Sequence, residues 1–371
     1  MKKKQNKKVN RVLLTGGHAA TTAIATVEEL IKRGQTHIYW VGSRKAIEGA
    51  SVPTLESEAL PKLGVSVYPI IAGRLQRRFT IWTIPSLFKI PLGFLHAFLI
   101  LRRIRPDVIL SFGGYAAFPV VVVGHFMRTP ILLHEQTAAI GRANKFSAPF
   151  ADKIAIARLP SAVFFPKGKI SLVGNPVMSQ TAKVRPKEKL GDPPVIFVTA
   201  GSRGSESINN LIKEILTKLL QDFRILHQTG SLDFERFNKL KRNLPSNLRQ
   251  KYVPFATIDP NKISTFYERA DIIISRAGAN TVAEIMVVKR PSILIPLPFA
   301  YYDEQKKNAL FAQKFGVAKV LDQKGLTPEK LLGEIYRTKK DWYKTVAKVK
   351  SKTSDDIDAA GKLVDVVEKL V

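Results

Sequence analysis

Short apolar runs rich in β-branched residues alternate with longer stretches in which apolar side chains recur every three or four positions. That alternation predicts strand–helix–strand units and a parallel sheet. In the first half, residues 12–14, 38–41, 65–68, 108–110 and 131–133 predict strands, and 154–156 and 170–173 close the series. After the first strand, Ile24, Val27, Leu30 and Ile31 fall on one helical face. A second series follows, with strands predicted at 195–198, 225–227, 272–274, 293–295 and, more weakly, 319–321. Residues 183–194 between the two are rich in Pro, Lys, Glu, Gly and Asp, without periodicity, and read as a linker. The predicted organisation is therefore a first domain over 1–182, the linker, a second domain over 195–353 and a C-terminal helix over 354–371. That helix carries Ile357, Leu363, Val364, Val367 and Leu370 at helical spacing and has either domain open to it. The fold class is α/β, two doubly wound Rossmann-type domains. Such sheets hold ligands beyond the carboxyl ends of their strands, so the site is expected in a cleft that these ends face.

Composition adds limits to that picture. A chain of 371 residues, 45% hydrophobic and 24% charged, is long enough for two cores and composed like a soluble globular protein. No apolar run reaches the ~18 uncharged residues of a membrane-crossing helix. Met1 to Arg11 carries six Lys or Arg, but the apolar run behind it is broken at Gly16 and Gly17, so it reads as a basic extension rather than a signal peptide. With no cysteine, disulfides, zinc–thiolate sites and thiol catalysis are excluded, and a cytoplasmic location fits. The formal charge of +29 attracts polyanions: nucleic acid, anionic lipid or phosphorylated substrate. There is no aromatic RNP motif, zinc finger or basic zipper, so nucleic acid is the least supported partner. The scattered cations otherwise read as a solvated surface or as attraction to a membrane.

The candidate chemistry gathers where predicted strands end. Thr15-Gly16-Gly17-His18 lies between a strand and a helix. Paired glycines admit a ligand close to the backbone, and helix N-terminal amides attract phosphate. His18 has the titration range of a general base for a hydroxyl nucleophile, although the turn also reads as a plain helix start with an incidental histidine. Gly113-Gly114-Tyr115 ends another strand, as an anion cradle or as a tight turn. His134-Glu135-Gln136, followed by Gly141 and Asn144, is either a polar cleft rim or a solvated loop, and no further His or Asp at ligand spacing supports a metal there.

In the second half, Gly201-Ser202-Arg203-Gly204 offers loop amides, a hydroxyl and a cation to a phosphate, with too few glycines for a dinucleotide fingerprint and no Walker Lys-Ser/Thr pair. Ser275 to Glu284 carries the most information. Gly278, Ala279, Asn280 and Thr281 open a helix, presenting amides at its positive end, and Glu284 lies about a turn further in, either as a carboxylate for two ribose hydroxyls or as a capping-box residue. Asp303, Glu304, Gln305 and Asn308 form another polar cluster after a strand, or the solvated start of a helix. Between the strands of the first half, Phe79, Ile81, Trp82, Leu87, Phe88, Leu92, Phe94, Leu95, Phe98 and Leu99 are bracketed by Arg77, Arg78, Lys89, Arg102, Arg103 and Arg105. Apolar and aromatic residues flanked by cations suit an interfacial segment on anionic lipid, and a core helix with a basic outer face fits the same pattern.

Taken in order from Val12 to Val320, these motifs resemble the MurG family, which moves N-acetylglucosamine from UDP-N-acetylglucosamine to lipid I, forming lipid II for peptidoglycan. The turn at Thr15 to His18 resembles the end of that family's Gly-Gly-Thr-Gly-Gly-His loop, and Gly113-Gly114-Tyr115 its second glycine loop. His134-Glu135-Gln136 with Asn144 resembles its His-Glu-Gln-Asn motif, Gly174-Asn175-Pro176 its interdomain triplet, and Gly201 to Gly204 its phosphate loop. Ser275 to Glu284 resembles its donor-binding turn, and Asp303 to Ala309 its Asp-His-Gln motif.

The resemblance implies a GT-B-like architecture and inversion by direct displacement, with no cofactor or protein-bound metal. Glu284 would hold the ribose, Ser202, Arg203 and Gly204 with Gly278 to Thr281 the diphosphate, Asp303 and Gln305 the sugar, and Ile258 would lie near the uracil. His18 would be the base, and Thr15, Gly16, Gly17, Gly113, Gly114, Tyr115, His134, Glu135, Gln136 and Asn144 would surround a polyprenyl-diphosphate acceptor. A peripheral position on the cytoplasmic face of the membrane, and contacts with other cell-wall synthesis proteins, would follow. The chain departs from the family pattern at Leu13, Leu14, Thr21, Ala117, Thr137, Met178 and Glu304. A related diacylglycerol glycosyltransferase and a non-catalytic UDP-sugar-binding homologue are the alternative readings.

Overall fold

The computed structural model describes residues 9–17, 19–44, 54–73, 83–201 and 204–371, residues 83–88 by backbone alone. The chain forms two units, Met1–Met178 with Asp355–Val371, and Ser179–Ser354.

The first unit is built on a seven-stranded sheet: β1 (Arg11–Gly16), β2 (His37–Gly42), β3 (Ser66–Pro69), β4 (Val108–Ser111), β5 (Ile131–Glu135), β6 (Lys153–Ile156) and β7 (Ile170–Leu172). Its spatial order is β3-β2-β1-β4-β5-β6-β7, and every pairing is parallel. The order reverses between β1 and β4, so the loops after those two strands flank the point where doubly wound sheets bind ligands. The central strands are buried on both faces, which is why β4 and the start of β5 read as apolar runs, while the edge strands β3 and β7 are half-exposed. Leu14 packs into one core cluster with Ile24 and Val27, while its neighbour Leu13 joins the opposite cluster with Ile109 and Val120. At two positions where the related pattern has glycine, these leucines extend both cores.

The second unit contains β8 (Val195–Thr199), β9 (Arg224–Gln228), β10 (Tyr252–Phe255), β11 (Ile272–Ser275), β12 (Ser292–Leu294) and β13 (Ala318–Val320), in the order β10-β9-β8-β11-β12-β13, again all parallel. The α/β class with two doubly wound parallel sheets is thus as the sequence predicts. Strand β10 is an addition to it. Pro254 interrupts its pattern, and proline, which cannot donate to a ladder, is tolerated because β10 is an edge strand.

The C-terminal helix Ala359–Leu370 belongs to the first unit, where Leu363, Val364 and Val367 fill the cluster containing Val12, Leu14 and Val27. The turn before it is anchored by a buried ion pair. Arg158 donates from both terminal nitrogens to Asp356, at 2.6 and 2.8 Å, and the Asn175 amide donates to the same carboxylate at 2.7 Å. Residues 183–194, linker-like in composition, are bonded into the second unit. Lys187 Nζ donates to Asp271 Oδ1 at 2.8 Å, and the amides of Gly191 and Val195 donate to the same carboxylate. The chain passes between units at 178/179 and 354/355.

Candidate functional site

In the first unit the loops after β1, β4 and β5 meet at the carboxyl edge of the sheet. The Gly17 amide donates to the Gly113 carbonyl at 3.0 Å. Gly114, at φ +92°, lies so close that a Cβ there would be 2.8 Å from the Gly17 nitrogen. A Cβ on Gly113 would be 2.7 Å from Asn144 Oδ1. The glycines therefore serve first to pack backbone on backbone. Thr15, expected at the ligand, spends its hydroxyl on the Val41 carbonyl at 2.7 Å. His18 lies outside the described residues.

The helix Ala20–Lys32 has no side-chain cap of its own. At its entrance the Ala19 amide donates to Glu56 Oε1 at 2.9 Å, so a buried carboxylate occupies part of the positive end that the sequence reading left to phosphate. Glu56 sits on the short helix Leu55–Ala59, whose N-cap Thr54 accepts from the Ser57 amide. With Gly16, Gly17, Trp40 and the half-buried Tyr115 it lines a small recess. Nothing local in the sequence marks Glu56, because its partner is 37 residues away.

The His134 motif is placed differently from the expectation of a ligand-facing rim. His134 is fully buried, its Nε2 3.0 Å from the Gly174 carbonyl. Burial holds its pKa down to about 4, against the smaller opposing effect of that hydrogen bond, so the ring is neutral and Nε2–H is the donor. Glu135 is also buried and accepts from the Thr137 amide and hydroxyl, the Gly141 amide and Asn144 Nδ2. Asn144 in turn donates to the His134 carbonyl. These three side chains fasten the loop after β5, and Thr137, where the family pattern has asparagine, supplies two of its bonds. Gln136 stays half-buried. Met178, where that pattern has arginine, is buried in the core of the first unit.

In the second unit the loops after β8, β9, β11 and β12 are laced together. Gly204 has φ +70°, and a Cβ there would meet the Thr229 carbonyl at 2.1 Å. Arg276 donates to Ser205 Oγ at 3.1 Å, to Ser207 Oγ, and to the Ile295 carbonyl at 3.0 Å. Burial lowers its pKa to about 10, still charged at neutral pH. Ser202 and Arg203 lie outside the described residues.

Helix Ala279–Val288 starts at Gly278, which has extended backbone (φ −63°, ψ 145°), and has no acidic residue in its first turn. Ala279, Asn280 and Thr281 are half-exposed there, so the positive helix end carries no neutralising carboxylate of its own. Glu284, further along, is 6% exposed, and Oε2 accepts from the Tyr267 hydroxyl at 2.7 Å. Burial raises its pKa to about 7, with the Tyr267 bond opposing. Asn308 Nδ2 donates to the Ala277 carbonyl, supporting the turn from behind. Gln305 Oε1 accepts from the Leu297 amide at 3.0 Å, and Asp303, exposed, adopts a left-handed backbone with Tyr302 before it. Two consecutive non-glycine residues in that region store strain, a mark of functional loops. Ile258 is half-buried at the edge of the core formed by Phe197 and Tyr267. Tyr267, which the sequence reading did not single out, lies on the ordinary helix Ile263–Arg269, where an aromatic beside Glu268 reads as amphipathic.

Among the described residues no group of three His, Asp or Glu is placed to hold a metal ion. No described helix is long and apolar enough to cross a membrane. On helix Thr83–Ile104, however, Leu92, Leu95, Phe98 and Leu99 are 52, 57, 40 and 55% exposed, with Arg102 and Arg103 exposed beyond them. Of the basic–apolar segment noted in the sequence, Arg77, Arg78, Phe79, Ile81 and Trp82, and the side chains of Leu87 and Phe88, lie outside the described residues.

Two family models cover most of the chain: the glycosyltransferase family 28 N-terminal domain matches residues 15–156 and its C-terminal domain residues 195–362. The UDP-N-acetylglucosamine--N-acetylmuramyl-(pentapeptide) pyrophosphoryl-undecaprenol N-acetylglucosamine transferase of Caldanaerobacter subterraneus subsp. tengcongensis is 32% identical over 96% of this chain and 97% of its own. A Bacillus cereus protein of the same name, numbered 2, is 31% identical over 92% of this chain and 95% of its own. The crystal structure of Acinetobacter baumannii MurG superposes with a TM-score of 0.69 over 97% of this chain and 99% of that one, at 24% identity, and shares the fold. With that likeness running through both units, the chain belongs to the MurG family of glycosyltransferases.

Proposed function

We propose that the protein transfers N-acetylglucosamine from UDP-N-acetylglucosamine to the muramyl sugar of lipid I, forming lipid II. The carrying observation is the turn at Gly278 to Thr281 with Glu284 behind it: a helix start with no acidic residue in its first turn, positive towards a diphosphate, and a buried carboxylate for the ribose hydroxyls. Ser202, Arg203 and Gly204 complete the diphosphate grip, Asp303 and Gln305 meet the sugar, and the uracil lies by Ile258. On the acceptor side, Gly16, Gly17, Gly113, Gly114, Tyr115 and Gln136 surround the polyprenyl diphosphate. His18 takes the proton from the acceptor hydroxyl as that oxygen attacks the anomeric carbon, the bond to UDP breaks, and configuration inverts. The donor is a substrate, and the chemistry calls for no further cofactor.

The exposed Leu92–Leu95–Leu99 stripe with adjacent arginines supports peripheral docking on the anionic cytoplasmic face of the cell membrane, and the charge of +29 favours it. The full chain, given radiolabelled UDP-N-acetylglucosamine and either lipid I or diacylglycerol in vesicles, is expected to label lipid I alone. Label on diacylglycerol, or tight UDP binding with no transfer, would refute the reading.

Glu284 makes donor binding pH-dependent. In the unliganded protein its pKa is raised from 4.5 to about 7, so its contribution to stability is complete below 4.5 and is lost as pH rises through 7. Ribose hydroxyls donate to the ionised form, so binding pulls the proton off. Affinity for UDP-N-acetylglucosamine is expected to weaken as pH falls below about 7, with close to one proton released per donor bound at pH 6. Titration calorimetry in buffers of different ionisation enthalpy measures this directly. Proton uptake, or none, would remove Glu284 from the ribose.

A further inference from the structure

We infer that Tyr267 is a positioning residue for donor recognition, its hydroxyl setting the Glu284 carboxylate in the orientation that receives the ribose. The inference rests on the assignment of Glu284 to the ribose.

A buried carboxylate on a two-carbon stem has several rotamers, and a ligand that needs one of them loses affinity to the others. Here one is selected. Tyr267 Oη donates to Oε2 at 2.7 Å, and Oε1 has no hydrogen-bond partner among the described residues, so one oxygen is held and the other is left to a ligand. Tyr267 is itself fixed. It is 1% exposed, and its ring packs edge-on against Phe197 with centroids 5.8 Å apart. Burial, and then the neighbouring Glu284 charge, push its ionisation well above the usual tyrosine range, so the hydroxyl remains a donor at any working pH.

The spacing between the two side chains is set from below by a third residue. Arg290, buried, donates to the carbonyls of Tyr267 and Ala270 at 3.2 and 3.0 Å, where Tyr267's helix ends, and to the Val288 carbonyl at 2.8 Å, where Glu284's helix ends. One cation thus clamps the negative ends of both helices, and Tyr267 and Glu284 meet above it. A tyrosine that only filled the core would need neither this clamp nor a hydroxyl aimed at the carboxylate.

The test compares UDP-N-acetylglucosamine with its 2′,3′-dideoxyribose analogue by calorimetry on the full chain, as wild type, Tyr267→Phe and Glu284→Ala. The phenylalanine keeps the ring and removes the bond. Tyr267→Phe is expected to bind the natural donor roughly tenfold more weakly and the dideoxy analogue as wild type does, because one hydrogen bond to a charged group no longer orients the carboxylate. The pH at which donor binding is half lost should also move upward, since that bond is what holds the Glu284 pKa down. Tyr267 is the titratable group facing Glu284 from its neighbouring helix, and no charged side chain contributes to the shift. Equal weakening for both ligands means that Tyr267 only packs, and unchanged binding of both means that it does nothing for the donor; either result overturns the inference. If Glu284→Ala leaves the preference for the natural donor intact, the ribose assignment fails first and takes the inference with it. Binding of the dideoxy analogue confirms that each variant retains a folded site.

Discussion

Replacing Asp356 with alanine is expected to destabilise the first unit by about 3–5 kcal/mol, a large share of the stability of a typical domain. Arg158 and Asp356 are 2% and 0% exposed, and the carboxylate also accepts the Asn175 amide. Removing it strands a buried guanidinium and an unmet backbone donor, and both penalties fall on the folded state alone. The loss extends further, since the same turn seats Ala359–Leu370 against the core: a Cβ on Gly174 would already be 2.5 Å from the Asp355 carbonyl. Urea unfolding that follows the first unit measures the change. The double replacement Arg158→Met with Asp356→Leu should recover most of the loss, because a packed apolar pair carries no desolvation cost. A single alanine variant as stable as the wild type would show that the pair contributes nothing.

Turnover of His18→Ala is expected to fall by about 10²–10⁴-fold, the usual contribution of a positioned general base, with donor affinity unchanged. Donor recognition is assigned wholly to residues of the second unit, so the two effects should separate. The residues on either side of position 18 are held firmly: the Gly17 amide donates to Gly113, and the Ala19 amide to Glu56. Initial rates at saturating donor, with donor binding measured separately, give the two numbers. A rate within a factor of about three of the wild type would assign the proton to another group.

The extent of the site legible in the sequence follows the range of the interactions. Glycine pairs at strand ends and the Gly278–Thr281 helix start are local features, fixed within a few residues by backbone sterics and helix polarity, and they lie beside the reversal points β1/β4 and β8/β11 of the two sheets. The roles of His134 and Thr15 depended on distant partners. His134 meets Gly174, 40 positions away, and Thr15 meets Val41, 26 away, so a polar side chain near the end of a strand points inward with no local sign of it. Tyr267 was invisible for the same reason, being 17 residues from the carboxylate it holds and on a helix of ordinary pattern. The amphipathic segment that ends at Arg105 has two readings from its sequence, and the exposure of Leu92, Leu95 and Leu99 is a fact of the folded helix that local pattern does not carry.

By itself, then, the amino-acid order determined the α/β class, twelve of the thirteen strands among the described residues and the place of the glycine turns at strand ends, because burial on both faces writes a parallel strand as a continuous apolar run. Tertiary structure alone decided which unit receives the last helix, which polar groups face inward, and how Glu284 is held. Those outcomes depend on pairs such as Arg158 and Asp356, 198 residues apart, whose meeting is an energy of the folded chain and leaves no trace in local pattern.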